Sequence, residues 1–253
     1  MWHERVRYMA IFYAAGQSDA LVHAIGLLHN AGIEFLPCPD RQVTHLLLPV
    51  PSFDSDGYIK GGINLESLLW QLPEDVTVVG GGLSREELEC YKTIDLLEDA
   101  GYVAENAAIT ACCAIRLAAG KLPVVWRGCP VLVVGWGRIG KNLARLLYQL
   151  GAQVAVAARK EQDRAMLRAF GYQALTMEQI DTRKYRVIFN TVPAMVLPDC
   201  PGKALKIDLA SVPGIGGQDV IHARGLPGKD APESAGALMA RTVLRKLNWE
   251  GWV

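Results

Sequence analysis

The chain has 253 residues and a formal net charge of zero, with 51% hydrophobic and 21% charged residues. This balance excludes a disordered chain and argues against a protein that coats nucleic acid. No apolar run reaches the roughly 18 residues of a membrane span, and the N-terminal MWHERVRYMAIFYAAG lacks the apolar core and cleavage site of a signal peptide. We therefore expect a cytoplasmic protein of one large or two modest domains.

Charge is distributed unevenly along the chain. Residues 1–100 carry 6 Lys and Arg against 15 Asp and Glu, a net −9, whereas residues 101–253 carry 20 against 11, a net +9. The basic half suits an anionic ligand such as a nucleotide or a carboxylate, although attraction between two domains is an alternative reason for the asymmetry. The six cysteines form no CxxC pair and have no His at metal-ligand spacing, so we expect reduced, mostly buried thiols and no metal site.

Strands alternate with helices through the first hundred residues. In chain order, the patterns predict a strand in 8–16, a helix in 18–32, short apolar runs in IEFLP and THLLLPVP, a turn-rich loop in DSDGYIKGG, a short helix in NLESLLWQLP, a buried strand in 76–82 and a helix in 84–99. Ser84 and Glu87 match the N-cap and capping-box positions of that last helix. The alternation predicts a parallel sheet with helices on both faces.

A second alternation follows a long Ala-rich helical pattern at 106–122. It predicts strand 131–134, helix 138–150, strand 153–158, helix 161–170, a short QAL strand with a helical MEQIDTRKY, strands 187–190 and 204–209, and an amphipathic helix at 233–247. We expect an α/β protein of two Rossmann-like domains joined by the long helix, the second a doubly wound parallel sheet that binds a dinucleotide. The expected bounds are 1–105 and 106–235, with a C-terminal helix in 236–253 packing back on the first domain.

The stretch VLVVGWGRIG contains the pattern G-x-G-x-x-G directly after an apolar strand and at the start of a helix. In this context Gly135 makes a tight turn, Gly137 lets the backbone approach a pyrophosphate, and Gly140 permits close packing of helix on strand. The helix N-terminus, beginning with Arg138 and Ile139, offers N–H groups and a partial positive charge to the phosphates. A purely structural strand-to-helix turn is the alternative.

The second strand of this domain ends in Ala157, Ala158, Arg159 and Lys160. A site for NAD usually has Asp or Glu at this point, which bonds the ribose 2′-hydroxyl. Two cations and no carboxylate favour a 2′-phosphate, because a guanidinium can hold a phosphate with two hydrogen bonds. The sequence therefore predicts NADP, with a solvated Arg-Lys loop as the alternative.

Two later strand ends fall where the nicotinamide should lie, at the carboxyl edge of the sheet. The residues assigned to the cofactor there are Asn190, Thr191, Val192, Pro193 and Ala210. The ring of Pro193 fixes the backbone φ angle and would form a rigid surface beside the nicotinamide ring. Asp208 is either a residue of the site or a buried turn carboxylate, and Lys229, in a Gly- and Pro-rich loop, is either a site residue or a solvated lysine.

Several segments occur together and in order: IDLLEDAGYVAENAAITA, the glycine-rich stretch through AARK, VIFNTVPAMVL, IDLASVPGIGGQD and GLPGKDAPESAG. Over about residues 90–240 the chain resembles the A subunit of dipicolinate synthase from spore-forming bacteria. The resemblance implies an architecture similar to the formate and glycerate dehydrogenases, and oxidation of a dihydrodipicolinate-type heterocycle to dipicolinate with NADP+ during sporulation. It also implies a mother-cell cytosolic location, a homo-oligomer and, as partner, the flavoprotein-like B subunit of dipicolinate synthase.

The resemblance implies roles for further residues. Asn106, Thr110 and Ser211 would bind the dicarboxylate substrate, and Asp208 and Lys229 are the candidates for catalytic proton transfer. Only the five residues VIHAR separate GGQD from GLPGK, whereas the family has a longer stretch with a further strand at this point. We therefore expect the sheet to be shorter at this edge than in the family. Two alternatives remain open: another NADP-dependent reductase of a small carboxylate, similar to shikimate dehydrogenase, and a non-catalytic NADP-binding partner, because Cys112 and Cys113 replace the usual family residues.

Overall fold

The computed structural model describes residues 10–249, so the predicted start of the first strand and the last residues of the C-terminal segment lie outside the described residues. The first half contains five strands and three helices. They are β1 Ile11–Ala14, α1 Asp19–Asn30, β2 Glu34–Phe35, β3 His45–Leu47, α2 Leu65–Leu69, β4 Thr77–Gly80, β5 Lys92–Asp95 and α3 Ala100–Ala119.

The second half repeats the alternation of strand and helix. Its elements are β6 Pro130–Val134, α4 Arg138–Gln149, β7 Gln153–Ala157, α5 Glu161–Ala169, β8 Gln173–Leu175, β9 Val187–Asn190, β10 Leu205–Asp208, β11 Val220–His222, α6 Leu226–Asp230 and α7 Pro232–Lys246. The three-residue β11 occupies the VIHAR segment, for which the sequence pattern predicts no element.

The chain divides into two compact units. The first contains residues 1–106 and 227–253, and the second contains residues 107–226. Residues 227–235 therefore belong to the first unit, although the sequence pattern placed them in the second domain. The reason is the packing of α7 on α1, where Gly236 lies directly against the backbone of Ala20 and Ala24.

The sheet of the first unit has five parallel strands in the order β2-β1-β3-β4-β5. This is the order of flavodoxin-like folds. Its central strands β3 and β4 are largely buried, whereas the edge strands β2 and β5 are partly exposed. One core cluster under α2 consists of Ala15, Val43, Leu46, Leu48, Ile59, Leu65, Leu68, Leu69, Leu72, Val76, Val78, Leu83 and Leu88.

The sheet of the second unit has six parallel strands in the order β11-β10-β9-β6-β7-β8. Numbered within this unit and followed from the β8 edge, the order is 3-2-1-4-5-6, that of the dinucleotide-binding fold. The strands β6, β7 and β9 are fully or almost fully buried over four residues each, which explains their unbroken apolar runs. The α/β class with two parallel sheets agrees with the prediction from sequence.

The prediction of a helix over residues 84–99 is wrong. The structure has a 3-10 turn at Glu86–Leu88, the strand β5, and a second 3-10 turn at Leu96–Glu98. Backbone pairing of β5 with β4 competes successfully with the local helical pattern. Ser84 caps no α-helix, and Glu87 binds Arg85 instead of closing a capping box.

Two smaller predictions also require correction. The helical pattern of MEQIDTRKY reduces to a 3-10 turn at Thr182–Lys184, capped by Asp181. The thiols are all free, but only Cys113, Cys129 and Cys200 are buried, while three others are exposed. Within residues 10–249, no helix combines the length and apolar character of a membrane span.

Candidate functional site: a dinucleotide cleft in the second unit

The central strands β6 and β9 of the second unit lie side by side, and the strand order reverses between them. Val134, the last residue of β6, is in register with Asn190, the last residue of β9. The turns that follow these strands, Gly135–Gly137 and Thr191–Pro193, therefore meet at the carboxyl edge of the sheet. Open α/β sheets bind ligands at this position, because the loops diverge there and leave a crevice.

The three glycines meet the steric demands of a pyrophosphate cradle. Gly135 has φ +103°, and a Cβ there would lie 2.4 Å from Thr191 Oγ1. A Cβ on Gly140 would lie 2.2 Å from the carbonyl oxygen of Gly135, so α4 can approach β6 only without a side chain. A Cβ on Gly137 would meet no atom within 4 Å, which leaves open space in front of the backbone at the start of α4. The residues present therefore fit a dinucleotide phosphate.

A cleft of about 510 Å³ opens beside these glycines. Its walls come from the carboxyl ends of four strands, β6, β7, β8 and β9, and from the first turn of α5. The residues that line it are Gly135, Trp136, Gly137, Ala157, Ala158, Arg159, Lys160, Asp163, Met177, Val192, Pro193, Ala194 and Val196. The exposed Arg159 and Lys160 supply positive charge at the β7 end of the cleft.

Arg164 organises the turn that carries these two cations. Its Nη1 donates hydrogen bonds of 2.7 Å to the carbonyl oxygens of both Ala158 and Arg159. Glu161 accepts a 3.0 Å hydrogen bond from Arg164 Nε and also binds Arg168, and both arginines lower the pKa of the Glu161 carboxyl. The turn at the end of β7 is therefore fixed by α5, so Arg159 and Lys160 project from a defined backbone.

The turn after β9 is held by a buried amide and a buried carboxylate. Asn190 Nδ2 donates to Asp208 Oδ1 at 2.8 Å and to the carbonyl oxygen of Val192 at 3.0 Å, while its Oδ1 accepts from Val192 N–H. Asp208 also accepts from the N–H groups of Ala210, Gly214 and Ile215. Both side chains are 1% exposed or less, so they hold the turn that forms the Val192 and Pro193 wall of the cleft from within the protein.

This geometry favours one of the two roles considered for Asp208. Its carboxylate accepts four hydrogen bonds and is 1% exposed, as a buried turn carboxylate is. The role of Asp208 as catalytic base stays a prediction. The nearest ionisable neighbour, His222 Nδ1, lies 3.9 Å from Asp208 Oδ2.

Comparison with known proteins identifies the family. The A subunit of dipicolinate synthase from Bacillus subtilis (strain 168) is 31% identical to this chain over 237 residues, covering 83% of this chain and 79% of that protein. The chain belongs to the family of dipicolinate synthase A subunits. A scan against protein-family models finds no match.

Solved structures share the fold of this family member. The crystal structure of the dipicolinate synthase A subunit from Bacillus halodurans has a TM-score of 0.78 at 24% identity and covers 94% of this chain and 97% of its own. The transhydrogenase from Sinorhizobium meliloti has a TM-score of 0.64 at 12% identity, covering 94% and 93%. The chain therefore has the same fold as these two proteins.

In this homologue of the dipicolinate synthase A subunits, the predicted cofactor residues separate into two groups. One group lines the cleft: Gly135, Gly137, Ala158, Arg159, Lys160, Val192 and Pro193. The residues of the other group do not line it: Arg138, Ile139, Gly140, Asn190, Thr191 and Ala210. Thr191, for example, donates its hydroxyl to the carbonyl oxygen of Val134 at 2.9 Å and so ties the two central strand ends together.

The remaining predicted residues are distributed over both units. Asn106 and Thr110 lie four residues apart on α3, the first at the end of the first unit and the second buried in the second unit. Ser211 is exposed just after β10. Lys229 lies on the short helix α6, not in a loop, and belongs to the first unit.

Sequence reasoning missed six residues that line the cleft: Trp136, Ala157, Asp163, Met177, Ala194 and Val196. Trp136 was visible inside the glycine motif, and Met177 stands two residues after β8. Because β8 pairs in parallel with β7, its end must also reach the cofactor edge. Met177 could have been identified only from the order of the strands in the sheet. The local sequence pattern does not contain this order.

Proposed function

We propose that this chain is an NADP-dependent oxidoreductase subunit that oxidises a dihydrodipicolinate-type heterocycle to dipicolinate. The observation that carries the cofactor choice is the turn after β7, where Arg159 and Lys160 line the cleft and no carboxylate stands at 157–160. The family assignment carries the substrate class. By the same resemblance, we propose a sporulation function in the mother-cell cytosol.

The chain's own residues would bind and orient the cofactor. Gly135 and Gly137 with the first turn of α4 would hold the pyrophosphate, and Arg159 and Lys160 would bind the 2′-phosphate. Val192 and Pro193 would support the nicotinamide, positioned by the hydrogen bonds of Asn190 to Val192. When bound, NADP+ supplies the hydride acceptor of the reaction.

The protein would contribute orientation and exclusion of water more than acid-base chemistry. Aromatisation of the ring provides driving force, so a dense set of catalytic groups is not required. We retain Lys229 as a substrate-facing cation and Ser211, Asn106 and Thr110 as candidate substrate donors. We further propose a partner protein, because the relative from Bacillus subtilis is named as one subunit of a synthase.

The test is turnover of freshly prepared dihydrodipicolinate by the purified chain, followed by NADPH absorbance, with and without the dipicolinate synthase B subunit encoded by the same organism. We expect NADPH formation with NADP+ and much less NADH with NAD+. Tight NADP binding without turnover under either condition would refute the enzymatic proposal. Turnover of shikimate-type substrates instead would favour the alternative reductase.

A further inference from the structure

The cleft of the second unit contains a carboxylate that the proposed function does not use. Asp163 lines this cleft together with Arg159 and Lys160. It stands in the first turn of α5, and Lys160 is the N-cap of the same helix. Because these residues are so close along the chain, the carboxylate and the two cations lie at the same end of the cleft. The charge of Asp163 therefore acts on whatever ligand the cations bind.

The other carboxylate in this helical turn is arranged differently. Glu161 is paired along the helix with Arg164 Nη2 at 2.7 Å and with Arg168 Nη2 at 2.6 Å. It is not among the described residues that line the cleft. Two guanidinium groups thus neutralise Glu161 away from the cleft, and Asp163 is the carboxylate of this turn that faces the ligand.

Asp163 does not pair with the two cations of the cleft. In the part of the chain that the structure describes, no ion pair within 4.0 Å joins its carboxylate to Arg159 or Lys160. Both cations are exposed, and Asp163 is partly exposed. A phosphate can therefore reach the cations without first breaking an ion pair between them and Asp163. It would reach them in the field of a nearby negative charge.

The backbone that carries these three side chains is held together by Arg164. Its Nη1 donates hydrogen bonds of 2.7 Å to the carbonyl oxygens of Ala158 and Arg159. These bonds join the end of β7 to the first turn of α5. The helix start that carries Asp163 is therefore fixed relative to the strand end that carries the cations. A phosphate bound by the cations cannot move the backbone of Asp163 away.

We propose that Asp163 weakens the binding of the 2′-phosphate in this cleft and so limits the preference for NADP over NAD. This inference rests on the proposed cofactor. A phosphate monoester carries a charge of about −1.5 to −2 near neutral pH, so a carboxylate at the same end of the cleft repels it. Two cations outnumber one carboxylate, so NADP is still favoured. NAD has an uncharged hydroxyl at this position, and Asp163 does not repel it.

The experiment is titration calorimetry of the full chain with adenosine 2′,5′-bisphosphate and with adenosine 5′-monophosphate, which differ only in the 2′-phosphate. We expect Asp163→Asn to bind the bisphosphate about fivefold more tightly or better, because the repulsion is removed. Binding of the monophosphate should stay within about twofold, because this ligand has no 2′-phosphate to repel. Asp163→Glu keeps the charge, so its ratio of the two affinities should stay close to that of the unchanged chain.

The matched control is Asp199→Asn. It makes the same change of charge in the same unit, at an exposed residue that is not among the described residues lining the cleft. Its affinities for both nucleotides should equal those of the unchanged chain. Salt gives a second readout, because raising NaCl from about 0.05 M to about 0.5 M screens exposed charges. The gain in bisphosphate binding by Asp163→Asn should shrink accordingly.

Two results would overturn this proposal alone. One is equal bisphosphate affinity in Asp163→Asn and the unchanged chain. The other is weaker monophosphate binding in Asp163→Asn, which would show that the carboxylate holds a ribose hydroxyl. Failure of the unchanged chain to bind either nucleotide would overturn this proposal and the proposed cofactor together. Tighter bisphosphate binding by Asp163→Asn, in a chain that does not turn over dihydrodipicolinate, would support the role of Asp163 and refute the enzymatic proposal.

Discussion

At the scale of single residues, the cleft separates side chains that would touch a cofactor from side chains that hold them in place. Arg159 and Lys160 belong to the first kind, since both are exposed and line the cleft. Arg164, Asn190 and Asp208 belong to the second, since their hydrogen bonds go to the backbone, to each other or, for Arg164, to Glu161. The two kinds should respond differently to substitution.

We expect the double substitution Arg159→Ala and Lys160→Ala to weaken NADP binding at least tenfold and to leave NAD binding within about twofold. Each cation would make a charge-assisted contact with a phosphate that NAD lacks. Titration of both cofactors, followed by the tryptophan fluorescence to which Trp136 in the same cleft contributes, measures the change. Lys203→Ala serves as a control for loss of positive charge, and unchanged discrimination in the double variant would contradict the NADP assignment.

Substitution of Asp208 by Asn should lower stability, because the new amide N–H group faces the donors of Gly214 and Ile215. We expect a loss of about 2–3 kcal/mol in the unfolding free energy of the second unit. Urea denaturation measures this loss, with Asp199→Asn, an exposed carboxylate, as control. A stable Asp208→Asn variant that binds NADP normally but has no turnover would instead support the role of Asp208 as catalytic base.

At the scale of elements, the contact between α1 and α7 explains why the C-terminal helix belongs to the first unit. A Cβ on Gly236 would lie 2.6 Å from the carbonyl oxygen of Ala20 and 2.7 Å from His23 Cβ. The two helices can therefore approach only at a glycine. The sequence pattern predicted an amphipathic helix around 233–247 that packs back on the first domain, but the identity of α1 as the partner of its apolar face required knowledge of tertiary packing.

We expect Gly236→Ala to destabilise the protein by about 1–3 kcal/mol, because overpacking outweighs the higher helix propensity of alanine. Gly26→Ala is the matched control, since it lies in the partner helix α1 and a Cβ there would meet no atom within 4 Å. That control should stabilise the chain by up to about 1 kcal/mol. Thermal unfolding of both variants measures these changes in stability. Equal changes in the two variants would contradict the close contact proposed at Gly236.

At the scale of the whole molecule, the sequence predicts those features that depend on local chemistry. The glycine motif is such a feature, because its steric requirements are confined to one turn and one helix start. The network of Asn190 and Asp208 joins residues 18 positions apart and depends on the adjacency of β9 and β10. Likewise, β5 was predicted as helix, because its strand conformation comes from pairing with β4. Both features depend on contacts between residues that are distant in sequence, which explains why the local patterns did not predict them.

NADP should stabilise the second unit, which hydrogen exchange measured along the full chain can detect. NADP at about 100 times its dissociation constant stabilises the bound unit by about 2.7 kcal/mol, equivalent to roughly hundredfold slower exchange through global opening. We expect this protection around 131–140, 157–164 and 190–196. Protection of the first unit alone by NADP would contradict the assignment of the cofactor to the cleft beside Gly135 and Gly137.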